Sequence, residues 1–520
     1  MSGKPLAESN PEAPVLSMDD DVPSGAAVPA DHGALPPWKP ADLPEPLPFS
    51  FLNTLRTIGP GAILLAGAIG GGEWIVGPMM AVKHGPSILW IATVSILLQS
   101  LFNLEAVRYT LYTGEPILTG VMRLSPGPKL WAPFYLVMGA AQLATPAIAA
   151  GCAVVLFAAF TGRSPAELDT GWLRGIGMVL ILASAALLMS GRSIEHVLER
   201  LSWAMIAFIF VFLMAVNVWC VPAANWGTTL RGFFVVRPLP ADINLPLLGL
   251  FAATAGSGGL GNLAISNWFR DKGFGMGSRV GSISGALSET TTTLAPVGFA
   301  APVTPGNTRR WKSWWRYALL DQQALWATGC FLGMFLNVNL AMAIVPDNFA
   351  QTDGDVGTFQ ARYLADTFWS GLWLLALVNG FWILFSTHLG NTDCLVRTAT
   401  DILWAASPRV QRYPASRIYA GLLSVLTIWA LFAIHLGSVL ELFKVLGILA
   451  SPIMAIAAIQ ILRVNTRFLP AEFRPPWWRR LALVCCVFAY GGISIALLLN
   501  MFKEQKPPTE KPRPAAAQKA

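Results

Sequence analysis

From Thr57 onward the chain repeats one pattern, a long apolar run followed by a short polar break. About 20 apolar residues are enough to cross a hydrocarbon layer as a helix. Eleven stretches qualify: 57–81, 86–111, 131–160, 173–190, 201–221, 245–267, 317–345, 367–392, 416–436, 438–462 and 480–502. Backbone groups find no water in hydrocarbon, so each run must close its own hydrogen bonds, and the pattern predicts a bundle of helices. Residues 1–50 mix Pro, Ala and acids, without a basic leader and apolar run, and read as a disordered cytoplasmic tail. Residues 503–520, rich in Pro, Lys and Ala, read as a second disordered tail. Residues 268–316 are small and polar, a cytoplasmic loop with interfacial pieces. The remaining divisions are 51–267 for spans one to six, 317–462 for spans seven to ten, and 463–502 for span eleven.

Two of the runs are interrupted at mid-length. Span one reads "AGAIGGGEW" and span six reads "LFAATAGSGGLGNLAISNW". Glycine is among the poorest helix formers, and irregular backbone at bilayer depth is tolerated only where it is buried in protein or lines a cavity. Glycine-interrupted helices at matching places in two halves point to a transporter built from inverted repeats, with its site at the breaks. Five spans separate the two, so spans 1–5 and 6–10 form the repeats and span 11 is an addition. The competing reading is close packing of helices through small residues.

Charge gives the bundle a direction. The chain is 54% hydrophobic and 12% charged, about half the charge of a soluble protein. Its net charge is +7, and its basic residues are concentrated in loops on one side of an eleven-span arrangement. These hold Arg270, Lys272, Arg279, Arg309, Arg310, Lys312 and Arg316 after span six, Arg397, Arg409, Arg412 and Arg417 after span eight, and Arg463, Arg467, Arg474, Arg479 and Arg480 after span ten. The opposite loops carry only Lys83, Arg163, Arg174, Arg231, Arg237 and Arg362. Cytoplasmic loops are the basic ones. The expectation is a multi-pass protein of the inner (plasma) membrane with a cytoplasmic N-terminus and, despite its basic character, an external C-terminal tail. The lipid bilayer and a small cation are the expected partners, and nucleic acid is not. The six cysteines show no paired spacing and read as packing residues. No phosphate loop, zinc-protease or nucleophile-elbow motif is present, and with five histidines the chain is not read as an enzyme.

Ionisable residues inside a membrane cost about 2.5–3.5 kcal/mol and mark function by default. Glu73, beside the first break, is the leading candidate as cation ligand or proton-coupling carboxylate. Gly70, Gly71 and Gly72 would offer carbonyls beside it, as would Ala255, Gly256, Ser257 and Gly258 at the second break. Gln99, Asn103, Gln142, Asn262, His388, Asn391 and Asp393 are candidates for the pathway or a proton relay, with Ser266 and Asn267 beyond the second break. Glu105 with Arg108 reads as a structural ion pair; Glu441 and Lys444 neutralise each other, with Glu441 a weak site candidate. Thr145 and Pro146 predict a kink in span three. No resident cofactor is expected.

"TIGPGAILLAGAIGGGEWIVGPMMAVKHGPSILW", "LLQ" in span two, "ATAGSGGLGNL" and "GILASPIMAIAAIQILRVNTRFL" resemble the Nramp-type divalent metal transporters of the APC superfamily. The resemblance implies an all-α membrane protein with the leucine-transporter-like fold, two inverted five-helix repeats plus an eleventh helix, and alternating access to a mid-membrane site. The departures are chemical. The family's Asp-Pro-Gly-Asn of span one stands here as Gly70, Gly71, Gly72 and Glu73. Its Met-Pro-His of span six stands as Gly256, Ser257 and Gly258, or as Gly259, Leu260 and Gly261 in a shifted alignment. With the soft sulfur gone and a widened hollow expected, Mg²⁺ is the predicted substrate, with Mn²⁺ tolerated. A symporter of a small organic solute, with Glu73 carrying the proton, and a non-transporting sensor or scaffold on the same fold are the alternatives.

Overall fold

The computed structural model describes residues 29–190, 194–240, 243–283, 294–346, 355–437 and 439–504. Nine helices among them are long and apolar enough to cross a membrane. They are spans two (Trp90–Thr113), three (Pro128–Thr161), four (Glu167–Ser190), five (Leu198–Cys220), seven (Pro305–Ile344), eight (Leu372–Ala406), nine (Ala415–Ala433), ten (Val445–Arg467) and eleven (Trp477–Leu499). Span one is a bent pair, Pro60–Ala68 and Gly72–Ile88, with 41° between the halves. Span six is two short helices, Leu245–Thr254 and Leu260–Asp271. All eleven expected runs are therefore helical, and the two with glycine at mid-length are the two divided there. Span three also divides, between Leu143 and Ala147, where Pro146 lacks the N–H that a continuous helix needs.

Burial sorts the spans into layers. Spans three and seven bury 67% of their apolar windows, whereas spans nine and eleven bury 22%. The first pair belongs to the core and the second faces the surroundings. Both divided spans are central. Spans two, ten and eleven pack on the first half of span six, and spans five, seven and eight pack on the first half of span one.

Connections that alternate sides must gather at alternate ends of the bundle, and they do. At the basic end, Asp31 pairs with Arg467 after span ten at 2.7 Å. Arg123, after span two, donates to the carbonyls of His32 (2.9 Å) and Pro36 (2.8 Å). Asn307, after span six, donates to Asp42 at 2.8 Å. At the other end, Ser164 after span three meets Thr358 after span seven at 3.2 Å. Span eleven starts at the basic end and finishes at the opposite one.

Residues 29–50 are not the disordered segment expected of them. Lys39–Pro40 pairs in parallel with Phe299–Ala300, the only strands among the described residues. Leu35, Trp38, Ala41 and Leu43 are buried. The Pro-rich composition was misleading because the partners of this segment come from loops more than 80 residues away. Residues 1–28 and 505–520 lie outside the described set, as do the side chains of Glu441 and Lys444. The polar segment 268–316 is also more ordered than a loop. It completes span six, forms the turn Gly277–Val280, and begins the amphipathic helix Pro305–Leu319 that runs into span seven. Residues 284–293 of it are outside the described set.

Candidate functional site

The first half of span one ends when Ile69 turns out of helical geometry, at ψ 92°. Gly70 and Gly71 follow, and the chain resumes as a π-helical turn, Gly72–Val76. Carbonyls released by the break are met from span eight. Ser386 Oγ donates to Ala66 O at 2.8 Å, and Thr387 Oγ1 donates to Ile69 O at 3.1 Å. Glu73 lies on the π turn and is fully buried. Its Oε2 accepts the Gly70 N–H at 2.8 Å, while Oε1 has no partner among the described residues. The next side chain, Trp74, packs on span eight at Gly380, where a Cβ would stand 2.5 Å from the ring. Beside Gly380, Asn379 is fully buried, and neither its Oδ1 nor its Nδ2 has a partner among the described residues. Buried polar atoms are nearly always paired, so the unpaired ones on Glu73 and Asn379, each next in sequence to a residue of this contact, make the region the candidate site.

The second break runs from Ala255 to Gly259. Gly258 and Gly259 have φ of 62° and 59°, a region that side chains with a Cβ rarely adopt. Two glutamines hold the freed backbone. Gln99 of span two accepts from Gly258 N (3.2 Å) and donates to Ala253 O (3.2 Å). Gln142 of span three accepts from Leu260 N (3.0 Å) and donates to Gly258 O (3.3 Å). Both sequence candidates therefore act as splints for the break. The buried Oγ atoms of Ser257 and of Ser451 in span ten have no partner among the described residues.

The glycines do not open the wide hollow expected of them. A Cβ at Gly70 would stand 2.1 Å from Thr387 Oγ1, at Gly72 2.3 Å from Thr254 O, and at Gly256 2.4 Å from Gln99 Oε1. Space left by the smaller residues is filled by Thr387, Thr254 and Gln99. Close packing and helix breaking are thus properties of the same residues. Sulfur also returns from another direction. Span seven brings Met334 Sδ to within 2.4 Å of where a Gly77 Cβ would be, and the buried Cys330 lies one turn before it on the same helix.

The pathway candidates divide into three groups. Asn103 and Asn262 join in a buried chain: Asn262 donates to Asn103 (2.8 Å), Asn103 to Gln322 (3.0 Å) and Gln322 to Asp321 (2.8 Å). Asp321 then accepts the N–H of Gly59 at the start of span one (2.9 Å). His388 is buried and contacts Ser184 of span four at 3.1 Å. Asp393 is fully buried elsewhere, taking both arms of Arg397 (2.9 Å each), Trp268 Nε1 (2.8 Å) and the Tyr419 hydroxyl (2.8 Å). Arg397 also pairs with Asp271, and Arg270 with Asp401. Asn391 is half-buried. His388 and Asp393 thus contact different elements. Asp321, Gln322, Asn379 and Thr387 were missed by the sequence reading. The adjacent acid and amides in "LDQQALW" were the available signal for the first two, at what looked like a helix end.

Among the described residues no three His, Cys, Asp or Glu side chains converge as a metal cluster. Two mutant structures of the Eremococcus coleocola manganese transporter superimpose with TM-scores of 0.64 and 0.65, at 15% identity over 92% of each chain. The uncharacterized protein PM0681 of Pasteurella multocida is 24% identical over 206 residues, 37% of this chain and 46% of that one. The chain thus matches less than half of that relative's length. No family model matches. The likeness to the transporter shows the fold: an all-α membrane protein of leucine-transporter-like architecture, with two five-helix repeats and an eleventh helix.

Proposed function

We infer that the protein is a secondary-active transporter of divalent cations, Mg²⁺ first and Mn²⁺ tolerated, working by alternating access. The observation that carries this reading is Glu73: a fully buried carboxylate beside unwound backbone, with one oxygen unpartnered. A buried charge without compensation costs several kcal/mol, so the group holds either a proton or a cation. The donors at the two breaks, the Glu73 carboxylate, the Ser257 hydroxyl and the freed carbonyls, are hard oxygens, a set suited to Mg²⁺. The shared fold with a manganese transporter supports a divalent cation as cargo. Cys330 and Met334 would let a softer ion such as Mn²⁺ stay.

Alternation follows from the two halves of span one. The first half is clasped by Asp321 at one end and by Ser386 and Thr387 at the other, and releasing it opens the basic, cytoplasmic side. Protonation of Glu73 after the cation leaves would reset the site without leaving a bare charge. The single carboxylate also fits a second reading, a symporter in which Glu73 carries the proton and Asn379 binds a neutral or zwitterionic solute. Flux into liposomes separates the two. Uptake of Mg²⁺ that is lost in Glu73→Gln supports the first. Solute uptake without Mg²⁺ or Mn²⁺ flux, through folded protein, replaces it with the second.

A further inference from the structure

Span seven with its leading helix is 40 residues long, about 60 Å at 1.5 Å per residue, twice the hydrocarbon thickness of about 30 Å. The helix Pro305–Leu319 therefore stands at and beyond the membrane surface. One face of it is buried through Trp311, Trp314 and Tyr317. The opposite face carries Arg309, Lys312 and Arg316 at three- and four-residue spacing, so the three cations form one stripe. They line an open groove with the hydroxyls of Thr304, Thr308 and Ser313. Glu45 reaches only the far end, 3.9 Å from Arg309. Lys312 and Arg316 have no acidic partner among the described residues.

A second groove adjoins the first. Phe51, Leu55, Ile58, Trp203, Leu320 and Leu325 line it, and it is almost wholly apolar. The short helix Phe51–Thr57 that forms one wall buries none of its residues, and Phe51 is 82% exposed. Phe49 joins the two grooves: it lines the apolar one, and the Arg316 guanidinium lies 4.0 Å over its ring. A cationic groove rich in hydroxyls thus passes, at membrane-surface level, into an apolar groove beside the spans.

We propose that these two grooves form one binding site for an anionic glycerophospholipid. Its phosphate lies on Lys312, Arg316 and Arg309, and an acyl chain lies along Phe51, Leu55 and Leu320. Charge complementarity selects the headgroup, and the apolar groove distinguishes a lipid from a free phosphate. The site is separate from the helix breaks and does not depend on what the protein transports.

Native mass spectrometry of detergent-purified protein with added lipid tests this. Phosphatidylglycerol is expected to remain bound at collision energies that strip phosphatidylcholine. The double variant Lys312→Ala/Arg316→Ala should reduce phosphatidylglycerol retention at least tenfold. Lys312→Arg should keep it, and Arg409→Ala/Arg412→Ala, at the same end of the bundle, should leave it unchanged. All of these positions are exposed, so the variants fold. Thermal shift with inorganic phosphate should show no stabilisation. Equal retention of both lipids, equal loss in the Arg409/Arg412 variant, or stabilisation by phosphate matching that by the lipid would each overturn the proposal.

Discussion

Four hydrogen bonds reach the Asp393 carboxylate and four reach that of Glu115, whereas, among the described residues, Glu73 accepts only the Gly70 N–H. The first two acids are satisfied and serve as joints. Glu73 alone of the three has capacity left for a ligand. Glu73→Gln keeps the shape and a partner for Gly70, so the protein should fold while Mg²⁺ uptake falls more than tenfold in a liposome flux assay. Asp393→Asn should behave in the opposite way. Arg397 keeps Asp271 but loses a bidentate partner, a loss of about 3 kcal/mol, at the low end for breaking a buried pair. It is expected to appear as a lower melting temperature, with the pH profile of uptake unchanged. Glu73 was legible in the sequence because a carboxylate in an apolar run has few bland explanations. Asn379 was not, since one amide in such a run carries no pattern; only its unpartnered atoms set it apart.

At the scale of elements, the clustering of glycine made both breaks visible, because several poor helix formers together leave little reason to continue a helix. What the glycines face was not visible, since Thr387, Thr254 and Gln99 come from other spans. Gly72→Ala would force a methyl group against Thr254 O, and it should abolish uptake while Gly421→Ala, with open space around it, has no effect. The joint between the N-terminal segment and the bundle offers a pH test. Burial pushes Glu115 upward, but the charge and hydrogen bonds of Arg123, with Tyr109 and Gly298, hold it below its ordinary 4.5. A carboxylate depressed on folding contributes stability above its ordinary value and loses it as pH falls through the folded one. Thermal stability of the wild type should therefore drop as pH falls below about 4.5, and Glu115→Gln should be less stable at neutral pH and flatter across that range.

For the whole molecule, the alternation of basic and poor loops foretold which connections meet at which end, and the contacts of Asp31, Arg123 and Asn307 agree. The order in residues 29–50 was hidden, because a segment without an apolar pattern gains its structure from distant partners. If the basic end is cytoplasmic, a reporter fused after Lys506 should be active only outside the cell. Cytoplasmic activity would reverse the assignment of the two ends.

The first half of span one has nine residues and is therefore about 14 Å long. Side chains of other spans hold its two ends: Asp321 takes the leading N–H, and Ser386 and Thr387 take trailing carbonyls. A rigid rod fastened at two points moves by releasing one while pivoting on the other. Its amide hydrogens should therefore exchange with solvent at two separable rates, one for each end. Asp321→Ala should speed the exchange at the leading end before the trailing end responds.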